Sequence, residues 1–364
     1  MAHKTLKKAI KAKKDEFYTQ LTDIEKELRH YKDQFKDKVV YCNADDPFES
    51  NFFKYFASNF NLLGLKKLIA TSYSGSPILG RQISLFDIQG VKTEKEKEPI
   101  KIVINEVKDY NKDGAIDIAD VEYLLKHDKN SATKLKGSGD FRSAECIKIL
   151  KEADIVVSNP PFSLFREYIS QLEEYNKKFL IIGNTNAITY KESFALIKDN
   201  KMRTGYTNFN VGMFFVVPDD WDKYHHIDDN GRKIARVSTS CWFTNLQVKK
   251  HNEDLILFKT YYGNEAEYPK YENYDAIEVS KVADIPMDYK GYMGVPITFV
   301  DKYNPEQFEI IGFTHRNDPY NLKTKIYTKE DADNFNDLNG SPIIKIGEEY
   351  KFIYMRIIIR NKKL

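Results

Sequence analysis

The stretch DIVVSNPPF (residues 154–162) combines a short apolar run with an abrupt stop at two prolines. Similar apolar runs occur before and after it, and segments with helical spacing separate them. The predicted strands cover residues 38–42, 65–72, 101–107, 154–157 and 179–183, and the predicted helices cover 51–60, 144–151 and 162–175. Apolar strands that alternate with helices indicate an α/β fold with a mostly parallel sheet. Ligands then belong at the carboxyl ends of the strands.

Length and composition limit the class of protein. The chain has 364 residues, so we expect either two domains or one large domain with an appended module. Hydrophobic residues make up 41% and charged residues 30%, a balance that excludes a mainly disordered chain. The net charge of +2 excludes a uniformly basic protein, but local basic clusters can still line a nucleic-acid groove.

Cysteines and apolar runs predict the compartment. The three cysteines are far apart and form no CxxC pair, so neither a zinc site nor a disulfide framework is expected. A reducing cytoplasm fits this usage. No apolar run is long enough for a transmembrane helix, and the basic N-terminus lacks the apolar core of a secretory signal. We therefore expect a cytoplasmic protein with no membrane partner.

The turn Asn159-Pro160-Pro161-Phe162 carries the sharpest chemical signal. Two adjacent prolines fix a rigid turn whose carbonyl groups can point into a pocket. Asn159 offers an acceptor oxygen and two donor hydrogens, and Phe162 offers a flat ring. These groups suit an exocyclic amine, with acceptors for its two N–H groups and an aromatic face beneath its ring. The alternative is a strand-ending turn followed by a core phenylalanine.

A longer string around this turn resembles a known family. GDFRSAECIKILKEADIVVSNPPFSLFREYISQL (residues 139–172) is similar to the EcoRI-type adenine-specific DNA methyltransferases. The similarity extends from Val39 to the C-terminus and includes YCNADDPFESNFFKYF (41–56) and GYMGVPITFVDKYNPEQFEIIG (291–312). The resemblance implies a site-specific enzyme that transfers a methyl group from S-adenosylmethionine to N6 of a flipped adenine in double-stranded DNA. A cognate restriction endonuclease is an implied partner system.

The resemblance also implies a domain organisation. The catalytic part would be a Rossmann-like class I methyltransferase sheet over residues 37–200. Ahead of it, the helical spacing of Phe17, Leu21, Ile24 and Leu28 predicts a helical segment over residues 1–36. A C-terminal mixed α+β region over residues 201–364 would recognise the DNA target. The expected short, β-prone segments include residues 212–217, 236–242, 276–279 and 297–300.

Site residues follow from the matching motifs. Asn159 and the Pro160 carbonyl would hold the N6 hydrogens within the rigid turn that Pro161 completes, and Phe162 would stack on the flipped base. Asp140 would accept from the cofactor's adenine amino group, and Phe141 would pack on its ring. Arg142 and Arg166 are further candidates for phosphate or carboxylate contacts. The implied cofactor-binding residues are Asn43, Asp45, Asp46, Pro47, Ser50, Asp140, Phe141 and Asn159.

Alternatives from the residues themselves remain open at these positions. The segment 43–50 lacks the glycines usual in the cofactor turn, and it could serve as an Asx-rich turn that caps the following helix. Asp140 could be a turn acid. The activity could also be that of an RNA or protein-glutamine methyltransferase with the same tetrapeptide, and a non-catalytic calcium-binding interaction protein is a third possibility.

The acidic segment 109–120 matches the spacing of an EF-hand calcium loop. A bound structural calcium ion, an Asx-turn connection without metal and a protein-docking module are the three interpretations. In the first, Gly114 supplies the sharp turn and Ile116 anchors the loop. The candidate metal ligands are Asp109, Asn111, Asp113, Asp117 and Asp120.

Basic clusters in the second half are candidates for contact with DNA phosphates, and solvated surface is the alternative for each. They comprise Lys249-Lys250-His251, Arg356, Arg360 and Lys362-Lys363.

Overall fold

The computed structural model describes residues 18–43, 50–73, 99–114, 118–127, 132–217, 221–331, 338–347 and 349–364. By its internal contacts the chain forms two compact units. The first contains the described residues up to Ala187 together with Thr204–Gln247, and the second contains Ile188–Arg203 together with Val248–Leu364. Residues 204–247, expected in the C-terminal region, therefore belong to the first unit.

Strands and helices alternate along the first half of the chain, and strands dominate the rest. The strands are β1 (Tyr18–Thr19), β2 (Val39–Cys42), β3 (Lys67–Thr71), β4 (Ile100–Ile104), β5 (Ala132–Lys134), β6 (Ile155–Ser158), β7 (Lys178–Asn184), β8 (Arg203–Thr204), β9 (Met213–Val216), β10 (His226–Ile227), β11 (Lys233–Val237), β12 (Ser240–Thr244), β13 (Ile277–Glu278), β14 (Met293–Pro296), β15 (Phe308–Phe313), β16 (Ile343–Ile346), β17 (Glu349–Phe352) and β18 (Arg356–Asn361). The α-helices are α1 (Leu21–Leu28), α2 (Asn51–Ser58), α3 (Ile118–His127), α4 (Ala144–Glu152), α5 (Phe165–Glu174) and α6 (Lys191–Lys198).

The main sheet has the strand order β5-β4-β3-β2-β6-β7-β12-β8. Its centre is parallel, because β2 pairs with β3 and β6 in that sense and β6 pairs with β7. Strand β12 runs antiparallel to β7, and β4 runs antiparallel to β3. All residues of β2 and β6 are buried, as continuous apolar strands inside a covered sheet must be. The α/β class predicted from the sequence is confirmed.

Parallel pairing places the carboxyl ends of four strands at one edge of this sheet. Those ends are Thr71 of β3, Cys42 of β2, Ser158 of β6 and Asn184 of β7. Serine side chains cap two of the helices that follow the strands. The hydroxyl of Ser50 accepts from the backbone N–H of Phe53 over 3.4 Å at α2, and Ser143 caps α4 in the same way.

Helix α5 packs closely against β7. A Cβ at Gly183 would lie 2.4 Å from Cε2 of Phe165, so only glycine lets the helix approach the strand this closely. Tyr168, Ile169 and Leu172 on the same helix are fully buried. The position of α5 is therefore fixed by the sheet, and α5 in turn fixes the turn that precedes it.

Strand β1 belongs to a separate small sheet with the order β1-β9-β11-β10. Tyr18 pairs with Val216 and Thr19 pairs with Phe215. The helix predicted over residues 1–36 is wrong for this part of the segment, since the described portion opens with a strand and α1 begins at Leu21. Pairing with a strand distant in sequence outweighs the local helical spacing here. Residues 1–17 lie outside the described ranges.

The second unit is built around a four-stranded sheet with the order β13-β14-β18-β15 and the separate hairpin β16–β17. Helix α6 covers this unit, with the ring of Phe194 4.5 Å from that of Phe313. The β-prone segment 297–300 is not a strand, because it lies in a 3-10 helix, Ile297–Lys302. Across the described parts of the chain, no helix has the length and apolarity to span a bilayer.

Candidate active site

The tetrapeptide Asn159-Pro160-Pro161-Phe162 follows β6 at the carboxyl edge of the main sheet, and all four residues are buried. Asn159 is 6% exposed and Phe162 is 8% exposed. A short 3-10 helix, Phe162–Leu164, leads directly into α5. The turn predicted from the prolines is thus present, and it presents an amide and an aromatic ring at the place where α/β sheets bind ligands.

A buried hydrogen-bond network joins this turn to the end of β2. Ser158 donates its hydroxyl hydrogen to the backbone oxygen of Asn43. Tyr168 of α5 donates to Oδ1 of the same asparagine. All three side chains are at most 2% exposed, so each bond satisfies a polar group that water cannot reach. Asn43, placed by the sequence at the cofactor site, therefore connects strand β2, strand β6 and helix α5.

The loop that contains Asp140 and Phe141 is anchored to the end of β3. Gly139 has φ +76°, and a Cβ there would lie 1.9 Å from the backbone oxygen of Ser72. The ring of Phe141 packs edge-on against Tyr168 at 5.1 Å, and its backbone oxygen accepts from Nε2 of Gln171 over 3.1 Å. The loop and the tetrapeptide are therefore both held by α5.

The carboxylate of Asp140 is engaged by the guanidinium of Arg142, which also pairs with Glu167 of α5. Hydrogen bonds from Arg142 lower the pKa of Asp140 below its usual value, and burial opposes this shift only in part. Asp140 is therefore an anion at neutral pH. Its carboxylate can accept hydrogen bonds and cannot donate one.

The structure also reveals polar groups that the sequence analysis missed. Oγ1 of Thr19 and Nε2 of Gln20 are buried, and neither has a hydrogen-bond partner among the residues that the structure describes. Nδ2 of Asn51 donates to the backbone oxygen of Thr19 over 2.7 Å, so Thr19 lies beside the start of α2. Buried polar atoms without a partner are rare, and a bound ligand is one explanation. The sequence did not indicate a binding role for Thr19 and Gln20, because both residues lie within the predicted helical segment 1–36.

The remaining cofactor candidates have different positions. Ser50 is 1% exposed and caps α2, which is the structural role foreseen as an alternative for this segment. Asp45, Asp46 and Pro47 fall outside the described residues. The comparison of this turn with a cofactor loop therefore stays a prediction at those positions.

The acidic segment uses its own side chains to hold its backbone. Oδ1 of Asp120 accepts from the backbone N–H groups of Tyr110 (2.6 Å) and Asn111 (3.3 Å). Asp109 accepts from the backbone N–H of Gly114 over 3.0 Å. Within the described residues, no group of three or more acidic, histidine or cysteine side chains is arranged to hold a metal ion. The calcium interpretation gains no support from these contacts.

Two further positions in this segment complete the description. Asn111 and Asp113 bond to each other, through Nδ2 to Oδ2 at 2.8 Å and through the backbone N–H of Asp113 to Oδ1 at 3.0 Å. This is an Asx turn, the second of the expected alternatives. Asp117 and Ile116 lie outside the described residues.

The basic residues proposed for DNA contact are largely engaged within the second unit. The ion pairs are Lys250–Asp301 at 2.6 Å, Arg356–Glu278 at 2.7 Å, Arg360–Glu309 at 2.5 Å and Lys363–Asp254. Nζ of Lys362 donates to the backbone oxygen of Pro305 over 2.7 Å. His251 is 1% exposed, with Nδ1 2.8 Å from the backbone oxygen of Tyr303. Arg356 and His251 in particular serve the core of this unit.

Comparison with known proteins gives a consistent answer over the whole chain. A family described as adenine-specific methyltransferase EcoRI matches residues 5–362. The Type II methyltransferase M.EcoRI of Escherichia coli is 47% identical over 100% of this chain and 98% of its own length. Type II methyltransferases M.MgeORF184P of Mycoplasma genitalium and M.MpnI of Mycoplasma pneumoniae are 37% and 36% identical, each over 98% of both chains. No solved structure matches the chain.

These matches confirm the family resemblance seen around the tetrapeptide and the predicted activity of a site-specific, adenine-specific DNA methyltransferase. The matches do not assign roles to individual residues. The chain belongs to the EcoRI family of adenine-specific methyltransferases.

Proposed function

We propose that the chain transfers the methyl group of S-adenosylmethionine to N6 of an adenine flipped out of double-stranded DNA. One observation carries the proposal: the buried Asn-Pro-Pro-Phe turn lies at the carboxyl edge of a parallel sheet, and α5 links it to the Asp140–Phe141 loop. We further propose that the sheet is Rossmann-like and of the class I methyltransferase type. A parallel centre followed by an antiparallel strand, β12, supports this assignment.

The residues fit the cofactor at both of its ends. Thr19, beside the start of α2, and Gln20 offer its amino-acid end two buried polar atoms that have no partner within the described ranges. The anionic Asp140 and the ring of Phe141 suit its adenine end. When bound, the cofactor supplies a methyl carbon on a positively charged sulfur, which a nitrogen lone pair can attack.

The protein's own contribution is to position the amine. The side-chain oxygen of Asn159 and the carbonyl of Pro160 accept the two N–H groups of the exocyclic amine, which directs the nitrogen lone pair towards the methyl donor. Phe162 stacks on the base. Ser158 and Tyr168 keep these groups in place through Asn43. Positioning of this kind, with polar groups oriented in advance, accounts for a large part of the rate enhancement in many enzymes.

The DNA substrate and the setting are part of the same proposal. An adenine inside a duplex cannot reach a pocket at the sheet edge, so the base must be flipped out. We assign target recognition to the C-terminal part of the chain, residues 248–364, because residues 204–247 of the region expected from the sequence belong to the first unit, where β12 joins the main sheet. The Type II names of the relatives support a modification role beside a cognate restriction endonuclease. The three free cysteines agree with work in the reducing cytoplasm.

The test is long-read modification calling on DNA from cells that lack other adenine methylation and express the chain. The wild type should produce N6-methyladenine at one short sequence motif. Asn159→Ala should lower the methylation rate by roughly 100-fold or more, the loss seen when one oriented polar group is removed from an active site. Binding of S-adenosylhomocysteine should change little. Asn230→Ala in the exposed turn between β10 and β11 is the matched control and should methylate normally.

Two results would contradict the proposal. The first is an Asn159→Ala protein that methylates DNA at the wild-type rate, which would remove the tetrapeptide from the chemistry. The second is unmodified DNA in wild-type cells together with methylated RNA or methylated protein glutamine, which would favour the related activities that share this motif.

A further inference from the structure

Three hydrogen bonds from one residue, Arg142, hold the carboxylate of Asp140. Nε of Arg142 lies 2.9 Å from Oδ1, and Nη2 of Arg142 lies 2.7 Å from Oδ2. The backbone N–H of Arg142 donates to the same Oδ1 over 2.8 Å. A two-point contact with a planar guanidinium fixes the plane of a carboxylate as well as its position. The rotation of the Asp140 side chain is therefore set by Arg142.

The count of hydrogen bonds shows which acceptor position remains. Each carboxylate oxygen has about two lone-pair positions. Oδ1 of Asp140 accepts two bonds from Arg142, whereas Oδ2 accepts one from it. The Asp140 side chain is 20% exposed, so it is in part open to a ligand, and the second position on Oδ2 is the one that Arg142 does not fill. One fixed acceptor is the arrangement that distinguishes an amino group from an oxygen at the same ring position.

Arg142 also connects this acceptor to the helix behind the tetrapeptide. Its Nη1 lies 2.7 Å from Oε2 of Glu167, in the first turn of α5. The centre of its guanidinium lies 5.2 Å from the centroid of the Phe141 ring. The same side chain thus contacts both residues expected at the cofactor's adenine and the helix that carries the turn for the target base.

We propose that Arg142 is a positioning residue that makes the cofactor pocket selective for a 6-aminopurine, by aiming Oδ2 of Asp140 at the amino group. The proposal rests on the proposed function, in which Asp140 accepts from the cofactor's adenine. It predicts that Arg142 affects the choice between purines more than it affects binding in general. If the ion pair were purely structural, its loss would weaken the binding of every purine equally.

The test measures the binding of two ligands by calorimetry: S-adenosylhomocysteine and S-inosylhomocysteine, which has a 6-oxo group in place of the 6-amino group. The full-length wild type should prefer the adenosyl compound by roughly tenfold or more, because the oxo group leaves Asp140 facing another acceptor. Arg142→Met should reduce this preference to less than about threefold. Arg142→Lys should reduce it as well, since an ammonium keeps the charge but lacks the planar fork.

The chain provides a matched control for an arginine that clamps an aspartate. Arg232 donates through Nε to Oδ2 of Asp228 and through its backbone N–H to Oδ1, both over 2.8 Å, in the exposed turn between β10 and β11. Arg232→Met should keep the wild-type preference. Melting curves of both variants establish that the protein is folded, and Arg142→Lys serves if Arg142→Met does not fold.

The outcomes separate this proposal from the one on which it rests. Wild-type preference for the adenosyl compound that is retained in both Arg142 variants refutes the positioning role and leaves the proposed function intact. A wild type that binds both compounds equally removes Asp140 from adenine recognition and overturns the positioning role with it. A wild type that binds neither compound overturns the proposed cofactor site itself.

Discussion

Substitution of Tyr168 by phenylalanine removes one oxygen atom and nothing else from the core of the first unit. Tyr168 is fully buried, and its hydroxyl donates to the side-chain oxygen of Asn43, which is 2% exposed. Phenylalanine keeps the ring contact with Phe141 but leaves a buried carbonyl oxygen without its donor. The cost of an unsatisfied buried acceptor is ~1–3 kcal/mol, so we expect the free energy of unfolding to fall by that amount.

Urea denaturation followed by circular dichroism measures this loss. S-adenosylhomocysteine stabilises the unit that binds it, so the unfolding transition that it moves to higher urea is assigned to the first unit. Only that transition should shift in Tyr168→Phe. Tyr354→Phe removes the same atom at a residue that is 89% exposed, and it should leave the curve unchanged. The methylation rate should fall as well, because Asn43 also accepts from Ser158, the residue before the tetrapeptide.

A double-mutant cycle with Asn43→Ala decides whether the bond itself is responsible. If the hydroxyl acts through Asn43, removing it from the Asn43→Ala protein should cost much less than removing it from the wild type. Losses that add to within about 0.5 kcal/mol would show that the two side chains do not interact, and the reasoning about the network would be refuted.

Two further expectations concern stability. Asp120→Ala removes the acceptor of two backbone N–H groups and should lower the free energy of unfolding by ~1–3 kcal/mol. Neither calcium nor EDTA should move the wild-type melting temperature, because Asp109, Asp113 and Asp120 already accept N–H groups of the segment itself. A calcium-dependent rise would restore the metal interpretation. Burial lowers the pKa of His251 from 6.5 to about 4. As the pH falls, the imidazole is therefore protonated in the unfolded chain before it is protonated in the folded one. The free energy of unfolding should fall by up to ~3 kcal/mol between about pH 6.5 and pH 4. His251→Gln should flatten that part of the pH profile, and an unchanged slope would assign it to other groups.

The sequence predicted the centre of the fold well because the signal there is local. The expected strands at 38–42, 154–157 and 179–183 correspond closely to β2, β6 and β7, and the helix expected at 162–175 contains α5. Each is a continuous apolar or amphipathic run whose partners lie nearby in the sheet. The prolines after β6 likewise marked the turn that carries the candidate chemistry.

The features that the sequence did not predict depend on partners distant along the chain. Strand β1 forms because it pairs with residues 215–216, and the sequence around residue 18 does not indicate that partner. The unpartnered groups of Thr19 and Gln20 became visible only when that strand was placed. Basic residues near the C-terminus suggested a DNA surface, yet Arg356 reaches back to Glu278. Charge alone does not reveal which acid a long side chain will find.

The nested path of the chain restricts how this protein can be cut or recombined. The first unit is interrupted by residues 188–203, which belong to the second, and it resumes for residues 204–247. Within the second unit, Phe194 in that interrupting segment packs against Phe313. During synthesis, residues 188–203 of the second unit are therefore made before the first unit is complete. The rest of the second unit, with which these residues pack, is made only when the last third of the message is translated. No single crossover between genes can exchange one unit for a homologous one and leave both intact.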